Sequence, residues 1–254
     1  MHLILPKPYR SGLTALASLV LIVSLGCSPT PPEPDQPTDP EPQAAVPDEA
    51  AQVDAQAEWD AQQQHIASVI ETKDRAELIG NSPTKGSPDA EIVLFKFSDF
   101  ECPYCAIASG DMKTFMDGRE DVLYVYKHFP LNRIHPEATP AARAAWAAQQ
   151  QDQFWLYHDG LFAYQARLGE DLYIELAEEI GLDVEQFNRD RNSEAAAAAV
   201  ESDLKLAEEL ELRGTPAFLI NDLLVPGGAP LEFFEEAVIR IQEHNEAQSS
   251  QADS

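Results

Sequence analysis

Ile92, Val93, Leu94, Phe95 and Phe97 make a nearly unbroken apolar run that leads within a few residues to Cys102-Pro103-Tyr104-Cys105. The run is short, rich in branched and aromatic side chains, and preceded by Pro83, Gly86 and Pro88. That combination reads as a buried central strand entered through a turn. The stretch after the cysteines, to about Met116, is compatible with helix. Pro103 suits its first turn, where the amide has no intrahelical partner to lose. A buried strand that delivers two cysteines to the start of a helix leaves few architectures open.

Val122 to His128 reads as a second strand, closed by Phe129 and Pro130. A mostly helical block follows, at about 132–211, with Ala-rich stretches around Trp146 and punctuation at Gly169, Gly181 and Asn192. Ala195 to Ala199 fits a helix interior. Extended structure returns at Ala217 to Ile220, with Asn221 and Asp222 as turn residues and Leu223 to Val225 as an antiparallel partner. Pro230 to about His244 is the closing helix, and 246–254 is expected to be a disordered tail. Strand, helix, strand, helical block, hairpin, helix is an α/β pattern interrupted by a helical insertion.

The first eighty residues carry other signals. Lys7 and Arg10 precede an apolar stretch from Leu13 to Leu25, followed by Pro31, Pro32 and Pro34. The stretch is short of the roughly 20 residues that span a bilayer, so 1–26 reads as an export signal. Ser24-Leu25-Gly26-Cys27 resembles a lipobox, which makes Cys27 a candidate for lipidation; ordinary secretion or an uncut signal are the alternatives. From 27 to 57 the chain is acidic and Pro-rich with few large apolar side chains, and is expected to be a disordered linker. Residues 58–80 form a predicted helix, with Trp59, Ile66, Val69 and Ile70 at helical spacing, for docking on the domain or for dimerisation. The formal net charge of -27 argues against nucleic acid as a partner.

The chain holds 3 cysteines. If Cys27 carries lipid, Cys102 and Cys105 remain as one pair. A thiol at a helix N-terminus meets unpaired amides and the positive end of the macrodipole, which favour its thiolate. Cys105, one turn later, is placed to close a disulfide with Cys102 or to resolve a mixed one. The competing readings are half of a zinc site and an inert structural disulfide. A zinc site needs further ligands, and His128, His135 and His158 form no ligand pattern, so neither metal nor cofactor is expected. His128 and His135 read as surface or capping residues. Phe154, Trp155, Tyr157 and Phe162 read as core of the helical block, and Glu178 with Glu179 and Glu208 with Glu209 as solvated charge.

The run Phe97-Ser98-Asp99-Phe100-Glu101-Cys102-Pro103-Tyr104-Cys105 resembles the active-site segment of the DsbA-like thioredoxin family. Further similarities lie at Gly86, Ser87, Pro88 and Ala90, at Lys127 to Leu131, at Phe154, Trp155 and His158 to Phe162, and at Gly214-Thr215-Pro216. Together they cover roughly Ser82 to Gln242. The resemblance implies a thioredoxin-like fold with an inserted helical subdomain over 81–245, and a cis Pro216 beside the cysteines. It places Thr215 where its backbone would pair with an extended substrate. It implies an extracytoplasmic thiol–disulfide oxidoreductase with Cys102 and Cys105 catalytic and Pro103, Tyr104, Thr215 and Pro216 as neighbours. Protein thiols or disulfides would be the substrates, a membrane redox protein the partner, and a lipid anchor the tie to the membrane. Oxidation of substrate thiols is the expected direction. Reduction or isomerisation is the alternative, and a tethered peptide-binding chaperone with a structural disulfide a further one. Two residues depart from DsbA itself: Tyr104 stands where it has His, and Thr215 where it has Val, as in disulfide isomerases. Glu101, if close in space, is expected to oppose a thiolate on Cys102.

Overall fold

The apolar run is strand β2 (Ile92–Ser98), buried along its whole length. In the computed structural model, which describes residues 49–225 and 227–252, β2 is the middle strand of a 5-stranded sheet. The Leu13–Leu25 run, Cys27 and most of the expected linker lie outside the described residues. Among the described residues, no helix is long and apolar enough to cross a membrane.

Before β2 come α1 (Glu49–Glu71), α2 (Arg75–Ile79) and a two-residue strand β1 (Thr84–Lys85). After it come α3 (Pro103–Phe115) and β3 (Val122–His128), then the helices α4 (Ala138–Gln149), α5 (Phe154–Ala163), α6 (Glu170–Glu179), α7 (Val184–Arg191) and α8 (Glu194–Glu209). The hairpin β4 (Ala217–Ile220) and β5 (Leu223–Val225) and the helix α9 (Leu231–Ala252) complete the described chain. The strand order is β1-β3-β2-β4-β5. β2 and β3 run parallel, with Ser98 opposite His128, and are joined by the α3 crossover. β4 lies antiparallel to β2, with Ala217 opposite Phe97. This is a thioredoxin-like sheet with a helical insertion between β3 and β4.

Alternation along β2 divides its side chains between two cores, as a strand covered on both faces requires. Ile92 and Leu94 pack with Met112 and Phe115 of α3 and with Phe234 and Val238 of α9. Val93, Phe95 and Phe97 pack on the other face with Ile66 of α1, Leu78 of α2 and Leu210. The insertion has its own core, in which the small side chains of α4, Ala141 to Ala148, let the bulky Phe154, Tyr157, Tyr173 and Phe187 approach closely. Helix starts are capped where short polar residues allow it. Asp74, Asp183 and Ser193 each accept from a backbone N–H in the first turn of α2, α7 and α8.

Two boundaries differ from the expectations. The first helix begins at Glu49 rather than Glu58, so the last residues expected as linker are helical, and it breaks at Thr72–Asp74 before resuming as α2. The tail expected to be disordered from 246 is helical as far as Ala252. Both segments are rich in Ala, Glu and Gln, which favour helix while offering little apolar surface. α1 docks on its own domain. Trp59, Val69 and Ile70 pack partly buried around Ile66, and the Gln63 side chain takes up both the N–H and the C=O of Leu224 on edge strand β5.

Candidate active site

β2 ends in the loop 99–101, and Cys102 is the N-cap residue of α3, with extended backbone and Pro103 in the first turn behind it. The first turn then sets Cys105 inward while Tyr104 and Ile107 face solvent, at 71% and 64% exposure. Cys102 is 5% exposed and Cys105 not at all, so one sulfur can be approached and the other only through it. Both are free thiols. The Thr215–Pro216 peptide bond is cis, and the Thr215 carbonyl accepts from the Cys102 thiol at 3.3 Å. The loop after β5 packs on this proline: a Cβ at Gly227 would stand 2.2 Å from the Pro216 carbonyl oxygen.

The surroundings divide the acidities of the two thiols. Cys102 is held down to about 5, first by the Cys105 thiol, which donates to its sulfur. The Thr215 hydroxyl and the N–H groups of Cys105 and Tyr104 help, and together these outweigh the cost of burying the charge. Burial pushes the Cys105 thiol far up, and its hydrogen bond to Cys102 adds to the effect. The Asp99 N–H, 3.5 Å from the Cys105 sulfur, the Ser98 hydroxyl and the Lys96 ammonium act in the opposite sense. Two groups side by side with acidities pushed apart are the arrangement acid–base chemistry uses to give each a distinct role.

Several residues at this site escaped the sequence reading. Asp99 is buried beneath the loop, where its carboxylate accepts from the N–H groups of Glu101 and Leu131 and meets His135 Nδ1 at 2.7 Å. His135 therefore holds the loop through Asp99 rather than merely capping a surface. Gln165, from the insertion, donates to the carbonyls of Phe100 and Cys102. Lys96 on β2 is wholly buried, its Nζ 3.2 Å from the Cys105 carbonyl and 2.5 Å from Ser109 Oγ. Its one legible signal is a lone lysine interrupting the apolar run; Asp99 lies in the segment that resembles the family's active site but carries no sign of its partners, and Gln165 gives none.

Other expectations need correction. His128 is buried, not a surface residue, and neither ring nitrogen finds a hydrogen-bond partner among the described residues. Desolvation takes its imidazolium down to about 4, as it does for buried His158. The Glu101 carboxylate accepts from the Glu137 N–H at 2.7 Å and is not among the leading influences on the Cys102 thiol. Glu208 and Glu209 are exposed, as expected, and Glu209 meets the Lys73 ammonium at 3.2 Å. Phe154 and Tyr157 are buried in the insertion, with Trp155 and Phe162 packed partly exposed against the same core.

A pair of sulfurs with such divided acidities, one turn apart at the start of α3, is suited to trading one disulfide for two thiols, and the chain carries a thioredoxin-fold thiol–disulfide oxidoreductase domain. It belongs to the family of the DsbA-like thioredoxin domain, which matches residues 93–239. A thioredoxin-like oxidoreductase from Silicibacter pomeroyi is 32% identical and superposes with a TM-score of 0.62, over 67% of this chain and 99% of that one. The thiol–disulfide exchange protein alpha-DsbA2 from Wolbachia pipientis shares the fold at 18% identity, with a TM-score of 0.64 over 73% of this chain and 98% of that one. Among curated relatives, the Na(+)/H(+) antiporter NhaA 1 of Mycobacterium sp. strain KMS is 41% identical over 143 residues, 54% of this chain. The matched stretch spans only 23% of the antiporter's length.

Proposed function

We propose that the chain oxidises thiols of extracytoplasmic proteins through a Cys102–Cys105 disulfide. A substrate thiolate attacks Cys102 Sγ, the bond to Cys105 breaks, and the electron pair leaves on Cys105. A second substrate thiolate then attacks the substrate sulfur of the mixed disulfide, and Cys102 departs as a thiolate. The observation that carries the direction is the Cys102 thiol held down to about 5. A thiolate so favoured stabilises the reduced protein, and stabilising the reduced form makes the disulfide a stronger oxidant. Attack at Cys102 rather than Cys105 follows from their exposures. Pro103 fixes the turn between them, Tyr104 presents an exposed ring beside the sulfur, and the Thr215 backbone next to cis Pro216 is the edge on which an extended substrate would pair.

The reverse direction, reduction or isomerisation of substrate disulfides, is the second reading, and Thr215 beside Cys102 favours it. The two are separated by the potential of the pair and by mixed-disulfide trapping. Cys105→Ser with Cys102 first capped as a mixed disulfide by an aromatic disulfide reagent should form covalent complexes with reduced, unfolded substrates, the cap leaving as its thiolate; complexes formed only by the uncapped variant with disulfide-containing substrates support the second reading. Export with a lipid anchor at Cys27 is part of the proposal and rests on Lys7, Arg10, the Leu13–Leu25 run and Ser24-Leu25-Gly26-Cys27. A membrane redox protein would return the electrons to an acceptor. Radiolabelled fatty acid incorporated by the full chain and not by Cys27→Ser supports the anchor; equal labelling of both removes it.

A further inference from the structure

Ile92 and Leu94, which share a face of β2 with residue 96, are buried apolar side chains, whereas residue 96 is a lysine with no exposed surface. It does not reach solvent, so it is not a surface lysine lying along an apolar wall. Among the described residues it forms no ion pair. Its ammonium is held by the Cys105 carbonyl and Ser109 Oγ, with the Phe162 ring at 5.2 Å. An unpaired buried ammonium is costly, and a methionine would fill the same space without the cost. The charge therefore calls for a use other than stability, and the groups around it show which.

The titratable groups facing Lys96 are few. From α3 come Cys105, Cys102 and, more weakly, Asp111; from α5 comes His158, which stays neutral at ordinary pH. Its β3 neighbour Tyr126 is a buried phenol kept protonated by desolvation, and its β4 neighbour Phe218 carries no charge. Of these, the Cys105 sulfur is the group nearest in influence and the one whose charge must change during exchange. Burial lowers Lys96 to about 8, and the two sulfurs are its leading counterweights.

We infer that Lys96 is a positioning residue for Cys105, its ammonium being the counter-charge that lets this buried sulfur exist as a thiolate. The inference rests on the exchange mechanism proposed above, and it concerns two moments in it. When a substrate opens the Cys102–Cys105 bond, the electron pair arrives on Cys105 beside a positive charge already in place. In the reverse step, the Cys105 thiol gives its proton to solvent or to a neutral Lys96 amine. The resulting thiolate attacks Cys102 Sγ, and the sulfur previously joined to Cys102 leaves with the bonding pair. Preplaced charge of this kind needs no reorganisation as the reaction proceeds.

Reduced protein and oxidised glutathione separate the two thiols. Cys102 attacks first and forms a glutathione mixed disulfide; Cys105 then resolves it, and acid quenching with mass spectrometry follows both steps. Lys96→Met should leave the first step within about threefold of the parent and slow the second by about tenfold or more at pH 7. The parent's second step should level off above a pH near 8, while that of Lys96→Met keeps rising with pH. Lys96→Arg should recover most of the lost rate. Lys96→Gln gives the same reading should Met not fold. An unchanged second step with an unchanged pH profile in the neutral variants overturns the role of Lys96 while leaving the exchange mechanism standing. Failure of the parent to form any Cys102–Cys105 disulfide from oxidised glutathione overturns both.

Discussion

The sheet and the helical insertion contribute to the site in different ways. The sheet half, β2 with α3 and the Thr215–Pro216 loop, supplies every sulfur and every group that sets a sulfur's acidity, within a short stretch of sequence and one long-range contact. The insertion and the segment leading into it reach the site through the backbone: Gln165 holds two loop carbonyls, and His135 holds Asp99, which in turn holds two loop amides. Chemistry is thus local to the sheet, and the insertion fixes the loop that carries it. The two halves are joined beneath the site by Asp203 of α8, which accepts from the Lys127 ammonium and the His128 N–H of β3.

This division can be broken at graded points. Cys102→Ser should reduce insulin reduction and thiol oxidation to background, since the other thiol among the described residues, Cys105, has no exposed surface; retained turnover would refute the sheet half of the account. Asp203→Ala leaves a buried ammonium unpaired and should cost about 3–5 kcal/mol in urea unfolding. It should leave the acidity of Cys102 unmoved, because Asp203 touches the joint and not the sulfurs. A shifted thiolate titration in that variant would show the halves to be electrostatically linked.

The two buried imidazoles test the same seam by pH. His128 and His158 are lowered to about 4, so the unfolded chain binds protons that the folded one refuses between there and the ordinary imidazole range. Stability is therefore full above about pH 6.5 and falls as pH drops towards 4, by on the order of 3 kcal/mol for each histidine. Unfolding midpoints measured across that window should flatten when His128 is replaced by Phe; a fall of the same size in the variant would contradict the assignment. Gly227→Ala, which forces a Cβ against the Pro216 carbonyl, should cost about 1–3 kcal/mol and weaken peptide capture more than it alters the Cys102 acidity. The smallest effect belongs to Gln165→Ala, about 1 kcal/mol, with a loop more open to hydrogen exchange at Glu101 and Cys102.

How much of this was legible in the sequence follows the same line. β2, Cys102, Cys105, α3 and β3 read directly from apolar patterning and spacing, because strand period and helix start are local properties. The helical block read as helical from its alanines, yet nothing in it announced Gln165, whose role depends on a fold that brings it to residues far away in the chain. The Thr215–Pro216 loop was visible only through family resemblance. Lys96 was passed over because one charge in an apolar strand does not by itself say which neighbour it faces. β1 was too short to show a pattern, and the ends of α1 and α9 were hidden because helix-forming polar sequence and linker sequence share a composition.

The central claim is that the surroundings of Cys102 stabilise its thiolate and so make the pair an oxidant. Equilibrating the protein with glutathione and titrating the Cys102 thiolate by its absorbance measures both halves of that claim together. The account predicts a potential above about -160 mV and a titration near pH 5. A potential below about -220 mV, with Cys102 titrating near the ordinary thiol value of about 8.5, would contradict it and place the chain among electron donors.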